Sequence, residues 1–272
     1  LDFETILFEK RGQIALITLN RPEVMNAVNR RLSVEVGFAL EEFNNDPDLR
    51  VAIITGAGEK AFCVGSDLKE KLEIGLSIPD EIKEWTEKLK EWGFAGITKR
   101  HISKPIIAAV NGYALGGGFE IALSCDLIVA SEKASFGLPE VKHGLIAGAG
   151  GLLRLPRNIP VKVAMRAILT GKSLSAEEAK SWGIVNEIVP HDDVLSAAIR
   201  LAEDIIKNSP TAVSFSKEVV YRGLDSTLTF PPDGWKINDD YISQAFDSDD
   251  AKEGIRSFVE KREPNWGRNN NQ

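Results

Sequence analysis

Three consecutive glycines, Gly116, Gly117 and Gly118, constrain this chain more than any other feature. A β-like run, Pro105-Ile-Ile-Ala-Ala-Val110, leads through the turn signal Asn111-Gly112 toward them, and a helical pattern, Phe119-Glu120-Ile-Ala-Leu, follows at once. Three residues without side chains cost backbone entropy and add no packing. They therefore imply a chain that bends unusually or is approached closely. Ahead of a helix, such a loop presents free N–H groups with the helix's partial positive charge behind them. That suits an anion, or an oxygen that becomes one during a reaction.

Two glutamates frame the same stretch. Glu120 follows the glycines at the start of the expected helix, and Glu140 lies in Gly137-Leu-Pro-Glu-Val, after an expected strand at Leu127-Ile-Val-Ala130. A helix and a returning strand could bring the two carboxyls to one end of the unit. Paired carboxylates push each other's pKa apart and so provide one acid and one base near neutrality. Taken singly, Glu120 reads as a helix-start carboxylate and Glu140 as a surface residue; beside a glycine-rich oxygen trap the site reading is preferred. A second glycine cluster, Gly148-Ala-Gly-Gly151, precedes Leu152-Leu-Arg-Leu-Pro156 and is explained equally well as turn chemistry.

The rest of the chain supplies a scaffold. Thr5–Lys10 and Gln13–Leu19 read as a hairpin about Arg11-Gly12, and Asn20–Ala27 as a loop. Leu32, Val36, Leu40 and Phe43 recur at helical spacing up to Asn44-Asn-Asp-Pro47, and Val51–Thr55 has the continuous apolar character of a buried strand. Ile82, Trp85, Leu89 and Trp92 predict an amphipathic helix ending near Gly93. Its tryptophans read as core packing or as pocket lining with equal support. His143, near Glu140, reads as a loop residue. Beyond Pro156 the pattern is mostly helical: Val161–Thr170, Ala176–Trp182, Asp192–Asn208, about Thr211–Gly223, Asn238–Phe246 and Ser248–Arg262. A short strand is expected at Ile184–Val189, a capping box at Ser175-Ala-Glu-Glu178, and a frayed tail at Gly267–Gln272.

A formal net charge of −7 argues against nucleic-acid binding by phosphate neutralisation, though not against a small anionic ligand in a local pocket. Cys63 and Cys125 support neither a disulfide framework nor a zinc site and suggest a reducing compartment. No apolar run approaches membrane-spanning length. The expected location is cytoplasmic, or organellar if a targeting segment was removed ahead of Leu1. Other motifs fail: position 121 is not glycine, so the dinucleotide fingerprint is incomplete, and Gly171-Lys-Ser173 lacks the glycine that a phosphate loop needs at 166.

The run Asn111-Gly-Tyr-Ala-Leu-Gly-Gly-Gly-Phe-Glu120, the piece Phe136-Gly-Leu-Pro-Glu140 and Gly148-Ala-Gly-Gly151 together resemble the signature of the crotonase (enoyl-CoA hydratase/isomerase) superfamily. The resemblance covers nearly the whole chain. It implies an α/β fold, a crotonase-like spiral of ββα units with a helical C-terminal trimerisation region, here divided softly into a core at 1–200 and a helical part at 201–272. It implies no cofactor, coenzyme A being part of an acyl-CoA thioester substrate, no metal, no nucleic acid, no membrane, and a homotrimer or dimer of trimers. By position, the backbone N–H groups of Ser66 and Gly117 would hold the thioester oxygen. Val64, Leu68 and Lys69, with Phe258 and Lys261 of a C-terminal helix, would line the coenzyme A groove.

Within the family, glutamate at both positions resembles the hydratases, with Glu120 and Glu140 gripping one water during reversible hydration of a 2-enoyl-CoA. Arg50–Lys60, Gly93–Thr98 and Gly151–Pro156 resemble the carnitinyl-CoA dehydratase branch, which would carry tryptophan where this chain has Ser66. Alternatives are an enoyl-CoA isomerase or carbon–carbon hydrolase of the same superfamily, and a non-catalytic RNA-binding or assembly protein with this fold.

Overall fold

A computed structural model describes residues 3–69, 85–226, 229 and 233–266. Contacts divide the chain into two compact units, one of residues 1–101 and 106–202, the other of residues 102–105 and 203–272.

The first unit holds two sheets. β1 (Ile6–Arg11) and β2 (Ile14–Leu19) form the antiparallel opening hairpin about Gly12. β3 (Val51–Gly56), β5 (Ile106–Val110), β7 (Leu127–Ser131) and β10 (Glu187–Val189) then add in parallel, giving the order β1-β2-β3-β5-β7-β10. β3 and β5 are buried at every residue, as unbroken apolar runs must be when both faces of a parallel sheet are covered. The second sheet has the order β4-β6-β8-β9, from β4 (Ala61–Cys63), β6 (Tyr113–Leu115), β8 (Ser135–Gly137) and β9 (Leu174–Ser175). Three successive strands of the first sheet are each followed by a short strand of the second: β3 by β4, β5 by β6, β7 by β8. This is the repeating unit of a ββα spiral.

Helices punctuate the turns of that spiral. α1 (Arg30–Asn45) is capped by Asn29, whose side chain accepts from the Leu32 amide, and buries Leu32, Val36, Leu40 and Phe43. α2 (Thr86–Trp92) ends at Gly93, and the part of the predicted helix containing Ile82 lies outside the described residues. α3 (Gly117–Ala122) starts within the triple glycine, so Gly117 and Gly118 are its first residues rather than a loop before it. α4 (Gly151–Asn158), α5 (Val161–Thr170), α6 (Ala176–Ser181) and α7 (Val194–Ile206) follow, and Ser175 and Glu178 form the expected capping box of α6. The second unit is built on α8 (Pro210–Gly223), α9 (Asp233–Asp247) and α10 (Asp249–Glu260). There the buried Glu218 accepts from Arg222 and Tyr241, and Asp250 accepts from Ser209 and the Thr211 amide. Pro231-Pro232 and the tail 267–272 lie outside the described residues.

The loop Asn20–Ala27 does more than connect. Asn26 is fully buried with φ of 56°; its amide donates to the Ala57 and Ala61 carbonyls, and its Oδ1 accepts from the Arg21 amide. Arg21 donates to the Ala27 carbonyl and pairs with Asp67 at 3.0 Å. The loop is therefore a strap along the 61–67 segment. Replacing Asn26 by Ala leaves the Ala57 carbonyl without its side-chain donor and the Ala61 carbonyl with only the longer Asn111 bond, removes the acceptor of the Arg21 amide and strains a left-handed residue, at a cost of about 2–4 kcal/mol. Denaturant unfolding of Asn26→Ala should show this loss; a change under about 0.5 kcal/mol would mean that the strap carries no load.

Candidate active site

The site is built where the strap, the triple glycine and the 137–151 segment meet. Val28 lies opposite Ser66 in a single parallel bridge: the Val28 amide donates to the Gly65 carbonyl at 2.7 Å, and the Asp67 amide donates to the Val28 carbonyl at 2.9 Å. In such a bridge the flanking peptides are tied to Val28, and the Ser66 N–H turns to the opposite side. Gly65, at φ of 94°, brings this segment against the glycines, so that a Cβ there would lie 2.9 Å from the Gly117 nitrogen. Gly117 opens α3, where an N–H has no helical acceptor. Among the described residues neither the Ser66 nor the Gly117 amide donates to a protein group, and both residues line one cavity of about 610 Å³.

Each of the three glycines has a separate physical reason. Gly116 holds φ of 54° and lies against the Glu140 carboxyl, 2.9 Å from Oε1 to where a Cβ would stand. A Cβ on Gly117 would fall 2.4 Å from the Phe94 ring, and one on Gly118 would fall 2.0 Å from the Cys63 carbonyl oxygen. Only the first is a conformational requirement; the other two are close approaches.

The two carboxyls reach the same cavity from different surroundings. Glu120, 2% exposed, accepts the Ala149 and Gly151 amides on a single oxygen, Oε1, both at 2.7 Å. Burial pushes its carboxyl above the usual range. The Gly151 and Ala149 amides oppose that, the charge of Glu140 adds to it, and the Arg154 guanidinium again opposes it. Glu140 is half-buried at the start of the 3-10 turn Pro139–His143. Burial also raises its carboxyl, against its own amide and the charge of His143. Its Oε2 is buried and has no hydrogen-bond partner. An oxygen without a donor favours the protonated carboxyl, whereas two amides on one oxygen favour the carboxylate. Burial thus raises both carboxyls, but their hydrogen bonding differs: Glu120 is held by two amides on one oxygen, and Glu140 keeps an oxygen with no donor.

The second glycine cluster, which turn chemistry alone could explain, supplies the amides that hold Glu120. A Cβ on Gly151 would lie 3.0 Å from Glu120 Cγ, so the glycine there allows a carboxylate to approach. Val64 and Leu68 line the cavity; Lys69 does not and lies exposed, its amide on Asp67 Oδ1. Phe258 and Lys261 belong to the second unit, Phe258 being 84% exposed on α10 and Lys261 closing that helix at φ of 55°. Residues not assigned to the site from the sequence also line the cavity: Phe94, Leu89, Leu145 and Ile146 on the apolar side, with Lys90, Lys99 and the exposed His143, which the sequence placed only in a loop. The tryptophans of the α2 region do not line it. Trp85 and Trp92 meet Phe38 edge-on at 4.4 and 5.4 Å, with Lys88 Nζ over all three rings. Among the described residues, no three His, Cys, Asp or Glu side chains are grouped to hold a metal ion.

The Glu140 environment has a thermodynamic signature. A carboxyl whose folded pKa is raised destabilises the fold above its unfolded pKa, and the cost disappears below it. Glu140→Gln should therefore melt a few degrees above wild type at pH 8, with the gap closing toward pH 4.5. A gap that is independent of pH would contradict the buried, donor-poor oxygen.

The chain matches the family model "Enoyl-CoA hydratase/isomerase" over residues 9–269. It is 44% identical over 264 residues to a probable mitochondrial enoyl-CoA hydratase of Dictyostelium discoideum, covering 97% of this chain and 91% of that one. It is 42% identical over 261 residues to a carnitinyl-CoA dehydratase of Proteus mirabilis, covering 94% and 95%. Among solved structures, the enoyl-CoA hydratase of Mycobacterium tuberculosis superposes with a TM-score of 0.88 at 42% identity, covering 96% of this chain and 98% of that one. The carnitinyl-CoA hydratase of Mycobacterium avium superposes with a TM-score of 0.75 at 47% identity, covering 97% and 99%. The chain belongs to the enoyl-CoA hydratase/isomerase family.

Proposed function

We propose that this chain is a hydro-lyase that adds water reversibly across the 2,3 double bond of an enoyl-CoA thioester. One observation supports this reading above the rest: two carboxyls with different hydrogen-bond partners face a cavity that also holds two unpaired amides. The Ser66 and Gly117 N–H groups receive the thioester oxygen, which gains negative charge as the double bond is attacked. Donors already in place stabilise that charge in the transition state more than in the ground state, and one such donor is worth about 3 kcal/mol. Glu120 takes a proton from a water whose oxygen bonds to Cβ. The π electrons move toward the carbonyl as the enolate, and Glu140 gives its proton to Cα. Dehydration is the same path reversed, with Glu140 taking the Cα proton and Glu120 protonating the departing hydroxyl.

Phe94, Leu89, Leu145 and Ile146 suit a hydrocarbon acyl group, and Lys90 and Lys99 on the same cavity disfavour a trimethylammonium group. The chain is thus proposed to prefer crotonyl-type over crotonobetainyl-type thioesters. Coenzyme A is proposed to lie along Val64, Leu68 and Lys69, with Phe258 and Lys261 contributing to the nucleotide end. The exposed Phe246, Ile255, Phe258 and Val259 favour assembly into a homotrimer or a pair of trimers. No described helix is long and apolar enough to cross a membrane, and a cytoplasmic location is proposed.

A panel of enoyl-CoA thioesters, followed by loss of the conjugated absorbance, tests this reading. Glu120→Gln and Glu140→Gln should each fall about 10²–10⁴-fold in kcat, and the double variant should be little worse than the poorer single one. Thioester affinity should change far less. Cα-proton exchange with deuterated solvent should depend chiefly on Glu140. Normal hydration by Glu120→Gln would refute the role of Glu120 as the base, and double-bond migration without hydration by the wild-type protein would favour an isomerase.

A further inference from the structure

The amides of Ala149 and Gly151 that hold Glu120 belong to the segment entering α4, and one side chain of that helix reaches back across the segment. Arg154, one turn into α4, donates from Nη2 to the Thr98 carbonyl at 2.8 Å, and its own amide donates to the Gly150 carbonyl at 2.8 Å. Its Nη1 lies so close over Gly150 that a Cβ there would fall 2.3 Å away, and Gly150 itself holds φ of 105°. Arg154 therefore fills the space that only a glycine at 150 leaves open. From there it ties the Glu120-binding segment to the 94–98 turn.

That turn forms the opposite wall. It carries Phe94 against Gly117, and it holds one strained residue: between Gly93 and Gly96, Ala95 has a left-handed φ of 51°. Such a turn persists only when its surroundings over-determine it. On one side Gly96 is seated on α1, where a Cβ would meet the Ser33 carbonyl oxygen and the Gly37 amide nitrogen, both at 2.5 Å; Arg100 donates to the Gly37 carbonyl. On the other side the Arg154 guanidinium donates to the Thr98 carbonyl.

We infer that Arg154 is a positioning residue for the proposed hydration. It holds the amide pair on Glu120 in register with the Phe94 wall and places a permanent cation behind Glu120. The inference rests on the reading of Glu120 as the base. The charged groups that face Glu120 are Glu140 across the cavity and Arg154 from α4; His143 acts on Glu140, and Lys90 and Lys99 line the same cavity. Arg154 is the one whose charge opposes ionisation loss at Glu120 from behind, outside the volume that a substrate would fill.

The direct test follows the Glu120 carboxyl itself by ¹³C NMR in protein labelled at glutamate Cδ, with the signal assigned by its loss in Glu120→Gln. Arg154→Met should titrate at higher pH than wild type, and Arg154→Lys should stay closer to wild type because it keeps the charge. If Arg154→Met does not fold, the same ordering is required of Arg154→Gln against Arg154→Lys. Kinetically, kcat/KM of the methionine variant should fall about threefold to tenfold more at pH 6 than at pH 8, because the base must be ionised. An unmoved Glu120 titration overturns the inference even if hydration is intact. A moved titration in a protein that hydrates no enoyl-CoA upholds Arg154 and rejects the hydratase reading instead.

Discussion

The site depends on backbone segments lying closer together than side chains would allow. The 63–66 segment touches the triple glycine through Cys63 against Gly118 and Gly65 against Gly117. Phe94 closes over Gly117 from another direction. In the proposed reading these approaches make an oxygen trap from peptide groups alone, and peptide groups keep their orientation when solvent and substrate exchange. The remaining structure keeps the approach in place. Parallel strands β3, β5 and β7 deliver the chain repeatedly to the same end of the unit, and the Asn20–Ala27 strap fixes the 61–67 segment from outside.

Around that trap, two chemically identical side chains sit in different surroundings. Glu120 is the more buried residue, yet it is held as an acceptor by two amides on one oxygen. Glu140 is less buried but leaves Oε2 without a donor. Desolvation raises both carboxyls, so burial alone would make them alike. The difference comes from hydrogen bonding, and it comes from the second glycine cluster. The two glycine clusters thus both present amides to one cavity: the first leaves the Gly117 N–H without a protein acceptor, and the second holds Glu120.

Much of the fold was legible because it depends on periodicity and apolar runs. The bounds of α5 and the helical face Leu32, Val36, Leu40 and Phe43 follow directly from spacing. β3 and β5 follow from unbroken hydrophobic stretches. The triple glycine and its two glutamates were legible as a group because such a concentration of special residues has few other uses. Legibility fails where a residue acts through its backbone. Ser66 reads only as a turn until the family resemblance singles it out, since an N–H belongs to every residue type but proline. Gly148–Gly151 reads equally well as turn chemistry because its acceptor, Glu120, lies about thirty positions away in sequence, a separation of 29 to 31 residues. The Asn20–Ala27 strap was invisible for the same reason: a lone asparagine in a loop does not announce two long-range partners, the Ala57 and Ala61 carbonyls. Trp85 and Trp92, open to two readings by spacing, stack around Phe38 and Lys88 instead of lining the cavity.

The central claim is that backbone amides, not side chains, polarise the thioester carbonyl. The infrared stretch of that carbonyl, isotope-labelled in a bound unreactive acyl-CoA, measures this most directly. The account predicts a clear shift to lower frequency on binding, retained in full by Ser66→Ala because the alanine keeps its N–H, and retained by Glu140→Gln because that carboxyl acts at Cα. An unshifted carbonyl in the wild-type protein, or a shift that disappears with the Ser66 hydroxyl, would contradict it.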